Sequence, residues 1–256
     1  MVISSRDIAL MCPGQASQKV GMCEDIYINS EFGKEHIDLA NNILGYDIKK
    51  IMFSGPIEML TKTIYTQPAI FIASYIVGSI LIHNGLRPKF IAGHSVGEIS
   101  AYALARSLSF EDGLKLVQFR ATAMHEAGSI KSGSMAAVIG LNEESLQGHC
   151  ANYTDGIVCV ANYNSPNQAV ISGDSIAIEN ISPELLKAGA IKVIKLNVSG
   201  AFHSPLMEPA KDKLDKYIQD VDISDAIFPV YSNVSATPVT EKNKISDSLV
   251  EQLVSP

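Results

Sequence analysis

The chain has 256 residues, of which 46% are hydrophobic and 18% are charged, as expected for a globular protein with a substantial core. Its formal net charge of −7 and the lack of a lysine- or arginine-rich block argue against a nucleic-acid partner. The four cysteines form neither a C-x-x-C pair nor a metal-binding spacing. This usage predicts reduced thiols in a cytoplasmic protein without a metal site.

The first half of the chain alternates between strand and helix patterns. The predicted elements are a strand (7–12), a helix (31–43), a helix (68–82), a short buried strand (89–93) and a helix (97–107). The stretch 68–82 is the most apolar, but it is shorter than the about 18 residues of a membrane span. It is therefore predicted to be a core helix with Pro68 near its first turn, and no membrane association or signal peptide is expected.

After a helix capped by Ser109, the pattern changes to shorter strands. The predicted order is a strand (135–141), a helix starting near 142, strands (157–164 and 168–173), a helix (175–189) and a strand (191–198). This succession is that of a ferredoxin-like α+β domain. We predict a small domain at 131–198, inserted into a larger α/β domain made of 1–130 and 199–256. A helix over 204–220 and a strand over 228–234 complete the larger domain.

Residues 91–100, IAGHSVGEIS, place Ser95 between Gly93 and Gly97. A strand, Gly-x-Ser-x-Gly and a helix form a nucleophile elbow, in which a tight turn raises a serine hydroxyl above the sheet edge. The N–H of the next residue, Val96, then points to where an oxyanion would form. The alternative is a glycine-flanked turn with a solvated serine, and the pattern alone leaves both open.

A nucleophilic serine needs a general base. His203 follows a predicted strand and precedes a helix, which places it at the active edge of a parallel-sheet protein. His94 adjoins the serine, but successive residues at a turn tend to point apart. A surface loop histidine is the alternative for His203. Of the remaining histidines, His36 and His125 are predicted to lie on helix surfaces. His83 follows the predicted core helix, and His149 lies in a polar stretch of the inserted domain.

Seven segments carry a wider resemblance. They are CPGQASQKVGM, YTQPAIFIAS, AGHSVGEISAYALA, LVQFRATAM, MAAVIGL, YNSPNQAVISG and VSGAFHSPLM. In this order they resemble the malonyl-coenzyme A:acyl carrier protein transacylases of fatty-acid and polyketide synthesis, over nearly the whole chain. The resemblance implies an α/β-hydrolase-like large domain with a parallel sheet and a nucleophile elbow, plus the ferredoxin-like insert.

The resemblance implies roles for matching positions. Ser95 would accept the acyl group, and His203 would be its general base, oriented by carbonyl oxygens rather than by an aspartate. The N–H groups of Gln15 and Val96 would form the oxyanion hole. Arg120 would bind the malonyl carboxylate through a two-pronged contact. Further residues that would line or support the cleft are Gln67, His94, Asn164 and Phe202.

Some of these residues have ordinary interpretations from their pattern alone. Arg120 would be a solvated helix arginine, and Gln67, His94 and Asn164 could make turn and capping contacts. The resemblance also implies malonyl specificity from Phe202, directly before His203, since an AFH ending accompanies malonyl in polyketide acyltransferases. A phenyl ring beside the α-carbon would clash with a branched extender unit.

Two departures from the family pattern stand out. Ala16 replaces a glycine beside Gln15, so its methyl is expected to crowd the loop or force a different φ. Family members also continue beyond the position of Pro256 with a late strand and helix. Without that segment we expect an incomplete sheet in the large domain, lower stability, and a less well-oriented His203.

The resemblance further implies malonyl-CoA as substrate, an acidic acyl carrier protein as acceptor, a monomer, and no cofactor. A basic patch for the carrier could come from two sets of lysines: Lys187, Lys192 and Lys195, or Lys211, Lys213 and Lys216. Two alternatives remain. One is a hydrolase of acyl carrier protein thioesters, which would not need Arg120. The other is an inactive, truncated module that only binds the carrier protein.

Overall fold

The computed structural model describes residues 8–198 and 200–256. Its strands are β1 (Ala9–Cys12), β2 (Phe90–Gly93), β3 (Gly133–Ile139), β4 (Val158–Ser165), β5 (Gln168–Asp174), β6 (Lys192–Lys195), β7 (Val230–Tyr231) and β8 (Pro238–Val239). Its helices are α1 (Glu24–Asn29), α2 (Glu31–Leu44), α3 (Ile48–Ser54), α4 (Ile57–Leu60), α5 (Thr63–His83), α6 (Val96–Leu104), α7 (Phe110–Ile130), α8 (Glu143–Asn152), α9 (Ser175–Lys187), α10 (Glu208–Ile218) and α11 (Lys242–Glu251). A short 3-10 helix, Pro205–Met207, precedes α10.

The first unit comprises the described residues up to Thr122 together with Lys216–Leu249. Its strands are ordered β1-β2-β7-β8, with β1, β2 and β7 parallel and β8 antiparallel to β7. Cys12 pairs with Gly93, and Ala92 pairs with Tyr231. The carboxyl ends of the three parallel strands therefore lie at the same edge. The predicted α/β class with a parallel sheet is confirmed.

Helix α5 is longer than the apolar pattern predicted. It spans 21 residues, because the polar residues before Pro68 are also helical, and Pro68 is the sixth residue rather than part of the first turn. By length and composition α5 could cross a membrane, but half of its most apolar window is buried within the protein. A core helix of a globular protein passes the same test, and α5 packs against α6.

The second unit comprises the described part of Ala123–Asp215 together with Val250–Pro256. Its strands are all antiparallel, in the order β4-β5-β3-β6. Helices α8 and α9 pack on this sheet around an apolar core that includes Ile171, Ile181 and Leu185. The predicted strand over 191–198 is confined to β6, and its last hydrogen bond to β3 is donated by the N–H of Leu196 to the carbonyl of Met135 at 2.8 Å.

The second unit includes more of the chain than the domain predicted at 131–198. The end of α7 and the start of α10 are joined by an ion pair between Lys213 and Glu126, whose Nζ and Oε2 lie 2.6 Å apart. Lys211 contacts Glu251 in the same way at 2.8 Å. These contacts join the segments that flank the antiparallel sheet, including 250–256, to one another, and all of them belong to the second unit. Ser199, the first residue of the predicted second segment of the large domain, lies outside the described residues.

The sequence pattern predicted the N-terminal cap of a helix correctly but missed several short helices. The hydroxyl of Ser109 accepts the N–H of Asp112 at 2.9 Å, which confirms the predicted cap. Helices α1, α3, α4 and α11 were not predicted, because each is short or mostly polar. His36 is half-buried rather than a plain surface residue, and its ring centroid lies 4.9 Å from that of Phe110 in α7.

Candidate active site

Ser95 occupies the turn between β2 and α6. Its φ of 53° and ψ of −114° lie outside the regions that L-residues adopt readily. A Cβ on Gly93 would lie 2.0 Å from the carbonyl carbon of Gly97, and one on Gly97 would lie 2.3 Å from the carbonyl oxygen of Cys12. Neither position has room for a Cβ beside the neighbouring backbone, so both must be glycine. Holding a residue in such a conformation costs about 1–3 kcal/mol, which surrounding contacts must offset.

The guanidinium of Arg120 is fully buried and faces the serine. Its Nη2 donates to Ser95 Oγ at 3.1 Å, and its Nη1 donates to Gln67 Oε1 at 2.7 Å. Burial lowers the pKa of Arg120 to about 10, although the charge of Glu98 opposes this shift. Arg120 is thus cationic at neutral pH, and its interpretation as a solvated helix residue is wrong.

The loop after β1 packs against the elbow. The N–H of His94 donates to the carbonyl of Cys12 at 3.0 Å, and a Cβ on Gly14 would lie 2.5 Å from His94 Nδ1. Gln15 follows in this loop, where its Nε2 donates to Thr63 Oγ1 at 3.4 Å. Val96 is the first residue of α6, where backbone N–H groups have no acceptor within the helix. The His94 side chain is exposed.

Ala16 adopts the backbone conformation that a glycine would take. Its φ is 85°, in the left-handed region, and its N–H donates to Gln18 Oε1 at 2.8 Å. This value lies in a region that favours glycine, so the loop carries the strain of the alanine Cβ.

Two residues of the first unit that the sequence analysis did not single out complete this arrangement. Asn233 accepts the N–H of Ser95 on Oδ1 at 2.9 Å and donates from Nδ2 to the carbonyl of Gly93 at 2.6 Å. The fully buried Glu98 accepts the N–H of Asn233 on Oε2 at 3.2 Å. Asn233 follows β7, so its position at the end of a parallel strand was the available signal.

His203 lies in the second unit, 5% exposed, with a φ of 56°. Its Nδ1 is 2.7 Å from the carbonyl oxygen of Gln252. A carbonyl can only accept, so Nδ1 carries the proton and Nε2 is the basic nitrogen. The thiol of Cys159 donates to the carbonyl of His203 at 3.7 Å. The resemblance implied a carbonyl partner for this imidazole, and the structure identifies Gln252 as its source.

The remaining predicted residues also belong to the second unit. Phe202 is 5% exposed, and a Cβ on Gly200 would lie 3.3 Å from its ring. Asn164 is exposed on β4. The structure therefore brings Ser95, Gln67 and Arg120 into direct hydrogen-bond contact within one unit. His203, Phe202 and Asn164 are placed in the other unit.

The chemistry available around Ser95 is that of a serine hydroxyl beside a buried cation. Anions bind guanidinium groups through short, charge-assisted hydrogen bonds, most strongly where water is excluded. The N-terminus of α6 adds a favourable partial charge for an oxyanion near Val96. The first unit therefore suits an acyl group that carries a carboxylate close to its reacting carbonyl.

Comparisons with known proteins agree with this chemistry. A family model for the acyl transferase domain matches residues 10–256. The malonyl CoA-acyl carrier protein transacylase of Bacillus subtilis is 41% identical over 251 residues, 97% of this chain and 79% of the relative. That of Haemophilus influenzae is 37% identical over 254 residues, 98% of this chain and 81% of the relative.

Solved structures of such transacylases are also similar. The one from Coxiella burnetii has a TM-score of 0.93 and 36% identity, covering 97% of this chain and 79% of its own. A complex of a type II polyketide synthase acyl-carrier protein with its malonyl-transacylase gives a TM-score of 0.92 and 36% identity, with 97% and 81% coverage.

Proposed function

The chain belongs to the acyl transferase family, and we propose that it transfers a malonyl group from malonyl-CoA to the phosphopantetheine thiol of an acyl carrier protein. The observation that carries this proposal is the donation from Arg120 to Ser95 Oγ at 3.1 Å. In a malonyl thioester a single methylene separates the reacting carbonyl from the carboxylate. A carboxylate bound by Arg120 therefore places the carbonyl carbon beside the serine.

Acylation of the enzyme proceeds through Ser95. His203 Nε2 takes the hydroxyl proton as Oγ attacks the thioester carbonyl carbon, forming the C–O bond. The N–H groups of Gln15 and Val96 donate to the oxyanion of the tetrahedral intermediate. The C–S bond then breaks, and His203 returns the proton to the departing thiolate of coenzyme A.

Transfer to the carrier reverses these steps. The phosphopantetheine thiol loses its proton to His203 and attacks the malonyl-serine ester carbonyl. The C–O bond to Ser95 breaks, and the serine oxygen regains the proton from His203. The reaction is ping-pong, uses malonyl-CoA only as a substrate, and requires no cofactor or metal.

The test is the mass of the carrier protein after the two half-reactions. The enzyme is incubated with malonyl-CoA, freed of excess CoA ester, and mixed with a phosphopantetheinylated carrier protein. The proposal expects a malonyl-carrier thioester. Release of free malonate without carrier loading would instead indicate the thioester hydrolase, and no acylation of either protein would indicate a carrier-binding module.

The fold can be proposed in more detail. The first unit corresponds to an α/β-hydrolase-like domain, supported by its parallel strands and by the elbow at Ser95. The second unit contains a ferredoxin-like insertion at 131–198, supported by the order β3, α8, β4, β5, α9, β6 and by the sheet order β4-β5-β3-β6. We also propose a cytoplasmic monomer. The four free cysteines support the reducing compartment.

The lysines considered for the carrier surface differ in how far they are neutralised. Lys195 pairs with Glu179 at 2.8 Å, and Lys211 and Lys213 pair with Glu251 and Glu126. An ion-paired lysine contributes less net charge to a partner surface. The carrier is therefore proposed to use Lys187, Lys192 and Lys216 more than the ion-paired Lys195, Lys211 and Lys213.

A further inference from the structure

The side chain of Asn233 spans the nucleophile turn. Its Oδ1 accepts the N–H of Ser95 at 2.9 Å, and its Nδ2 donates to the carbonyl of Gly93 at 2.6 Å. One amide group thus binds the backbone on both sides of His94. The bond to Ser95 joins residues that are 138 positions apart in the chain, and the bond to Gly93 joins residues that are 140 positions apart. The two bonds therefore connect the end of β2 with the end of β7.

The sheet and Glu98 together fix where Asn233 lies. Strand β7 is parallel to β2, and Tyr231 pairs with Ala92, so Asn233 emerges at the edge that carries Ser95. Its own N–H donates to Glu98 Oε2 at 3.2 Å, and the N–H of Glu98 donates to the carbonyl of Ser95 at 2.9 Å. The turn, α6 and the loop after β7 therefore form one closed set of hydrogen bonds.

This set determines the conformation of the serine. Ser95 has a φ of 53°, a value that residues other than glycine rarely adopt. The φ torsion is a rotation about the bond from the backbone nitrogen, and the Asn233 side chain binds the N–H of that nitrogen. The directions of Oγ and of the Val96 N–H both follow from the torsions of Ser95. We infer that Asn233 is a positioning residue that holds the nucleophile and its neighbouring oxyanion donor in their reactive geometry, an inference that rests on the proposed function.

The role of Asn233 is separable from substrate binding. Arg120 donates to Gln67 at 2.7 Å, whereas the hydrogen bonds from the Asn233 side chain described above go to the backbone of Ser95 and Gly93. Loss of the Asn233 amide should therefore reduce kcat and leave the KM for malonyl-CoA nearly unchanged. A displacement of a reacting group by about 1 Å can reduce a rate by roughly 10²-fold.

The first experiment compares Asn233→Ala with the wild type and with Asn243→Ala, which truncates an exposed asparagine of α11. Malonyl transfer is measured well below the thermal midpoint of each protein and is normalised to folded protein. We expect Asn233→Ala to lose roughly 10–100-fold in kcat, with KM within about threefold. A kcat within threefold of the wild type, or a loss confined to KM, would overturn the inference. A wild type that transfers no malonyl group would instead refute the proposed function.

Asn233→Asp tests the same bonds if the alanine variant does not fold. An ionised aspartate accepts the Ser95 N–H but cannot donate to Gly93, whereas a protonated one can do both. The ratio of variant to wild-type kcat should therefore rise as the pH is lowered through the pKa of the new carboxyl. A residue that only joined strands would give a pH-independent ratio, and that result would contradict the positioning role.

Discussion

The two units hold their reactive groups by different means. In the first unit Ser95 is bound by side chains, with Asn233 on its N–H and Arg120 on its hydroxyl. In the second unit the imidazole of His203 is held by the main-chain carbonyl of Gln252. A single substitution can remove a side-chain partner but not a main-chain carbonyl. The geometry of the nucleophile is therefore sensitive to point mutation, while the orientation of the base is protected.

The largest expected effect comes from removing the base itself. His203→Ala should lower malonyl transfer by about 10²–10⁴-fold, because general-base catalysis by a positioned side chain contributes that much. Steady-state kinetics with malonyl-CoA and carrier protein measure the loss. The matched control is His125→Ala, which removes an exposed histidine of α7 and should keep normal rates.

Gln252→Ala sharpens this comparison, since it retains the carbonyl that binds His203. Its loss in rate should be less than about tenfold, well below that of His203→Ala, because the hydrogen-bond acceptor remains. Equal losses in the two variants would show that the Gln252 side chain, rather than its main chain, holds the base.

Arg120→Ala should lower malonyl transfer by roughly 10²-fold or more, because it removes a buried charge-assisted contact. Acetyl transfer by Arg120→Ala should be unchanged or improved. The malonyl transfer rate of Arg120→Lys should lie between those of the wild type and Arg120→Ala, since lysine keeps the charge but not the two-pronged geometry. Rates with malonyl-CoA and acetyl-CoA are compared with those of Arg87→Ala, whose exposed guanidinium donates to the carbonyls of Ile82 and Leu86. Equal losses with both substrates would make Arg120 a structural residue.

A smaller effect is expected at the loop that carries Gln15. Ala16→Gly should raise the free energy of unfolding by about 0.5–1 kcal/mol, because the relief of left-handed strain exceeds the added entropy of the unfolded chain. Gly45→Ala is the inverse control, since Gly45 has a φ of 75° in open space after α2. Chemical denaturation measures both, and a loss of stability in Ala16→Gly would contradict the strain.

The smallest effect concerns the ion pair beside Gln252. The hydrogen bond from Lys211 lowers the pKa of Glu251, so the pair stabilises the fold above the ordinary carboxyl pKa and loses this effect as the pH falls through the lowered value. Because both side chains are partly exposed, Lys211→Ala should cost less than about 1 kcal/mol at pH 7.

Unfolding free energies at pH 7 and at successively lower pH values measure this difference, with Lys187→Ala on α9 as the control. The difference between Lys211→Ala and the wild type should shrink as the pH falls through the lowered pKa of Glu251 and the carboxyl becomes protonated. A difference that persists there would assign the stabilisation to packing of the lysine stem.

The sequence predicted those parts of the fold whose causes are local. The glycines around Ser95 revealed the turn, because only they fit its close approaches. Arg120 could not be assigned from its own helix, since its hydrogen-bond partner Gln67 is contributed by α5, 53 positions away in the chain. Asn233 was missed for the same reason, because its partners are contributed by β2 through the parallel pairing with β7. Contacts between distant segments leave little trace in local patterns.

The covalent state of Ser95 after exposure to malonyl-CoA shows whether this serine is the nucleophile. The intact mass of the wild type should increase by one malonyl group, and peptide mapping should locate it within the segment that contains Ser95. Ser95→Ala should show no increase, whereas Ser129→Ala, on the exposed end of α7, should be acylated like the wild type. A malonyl adduct on the Ser95→Ala protein would place the nucleophile elsewhere and contradict the account.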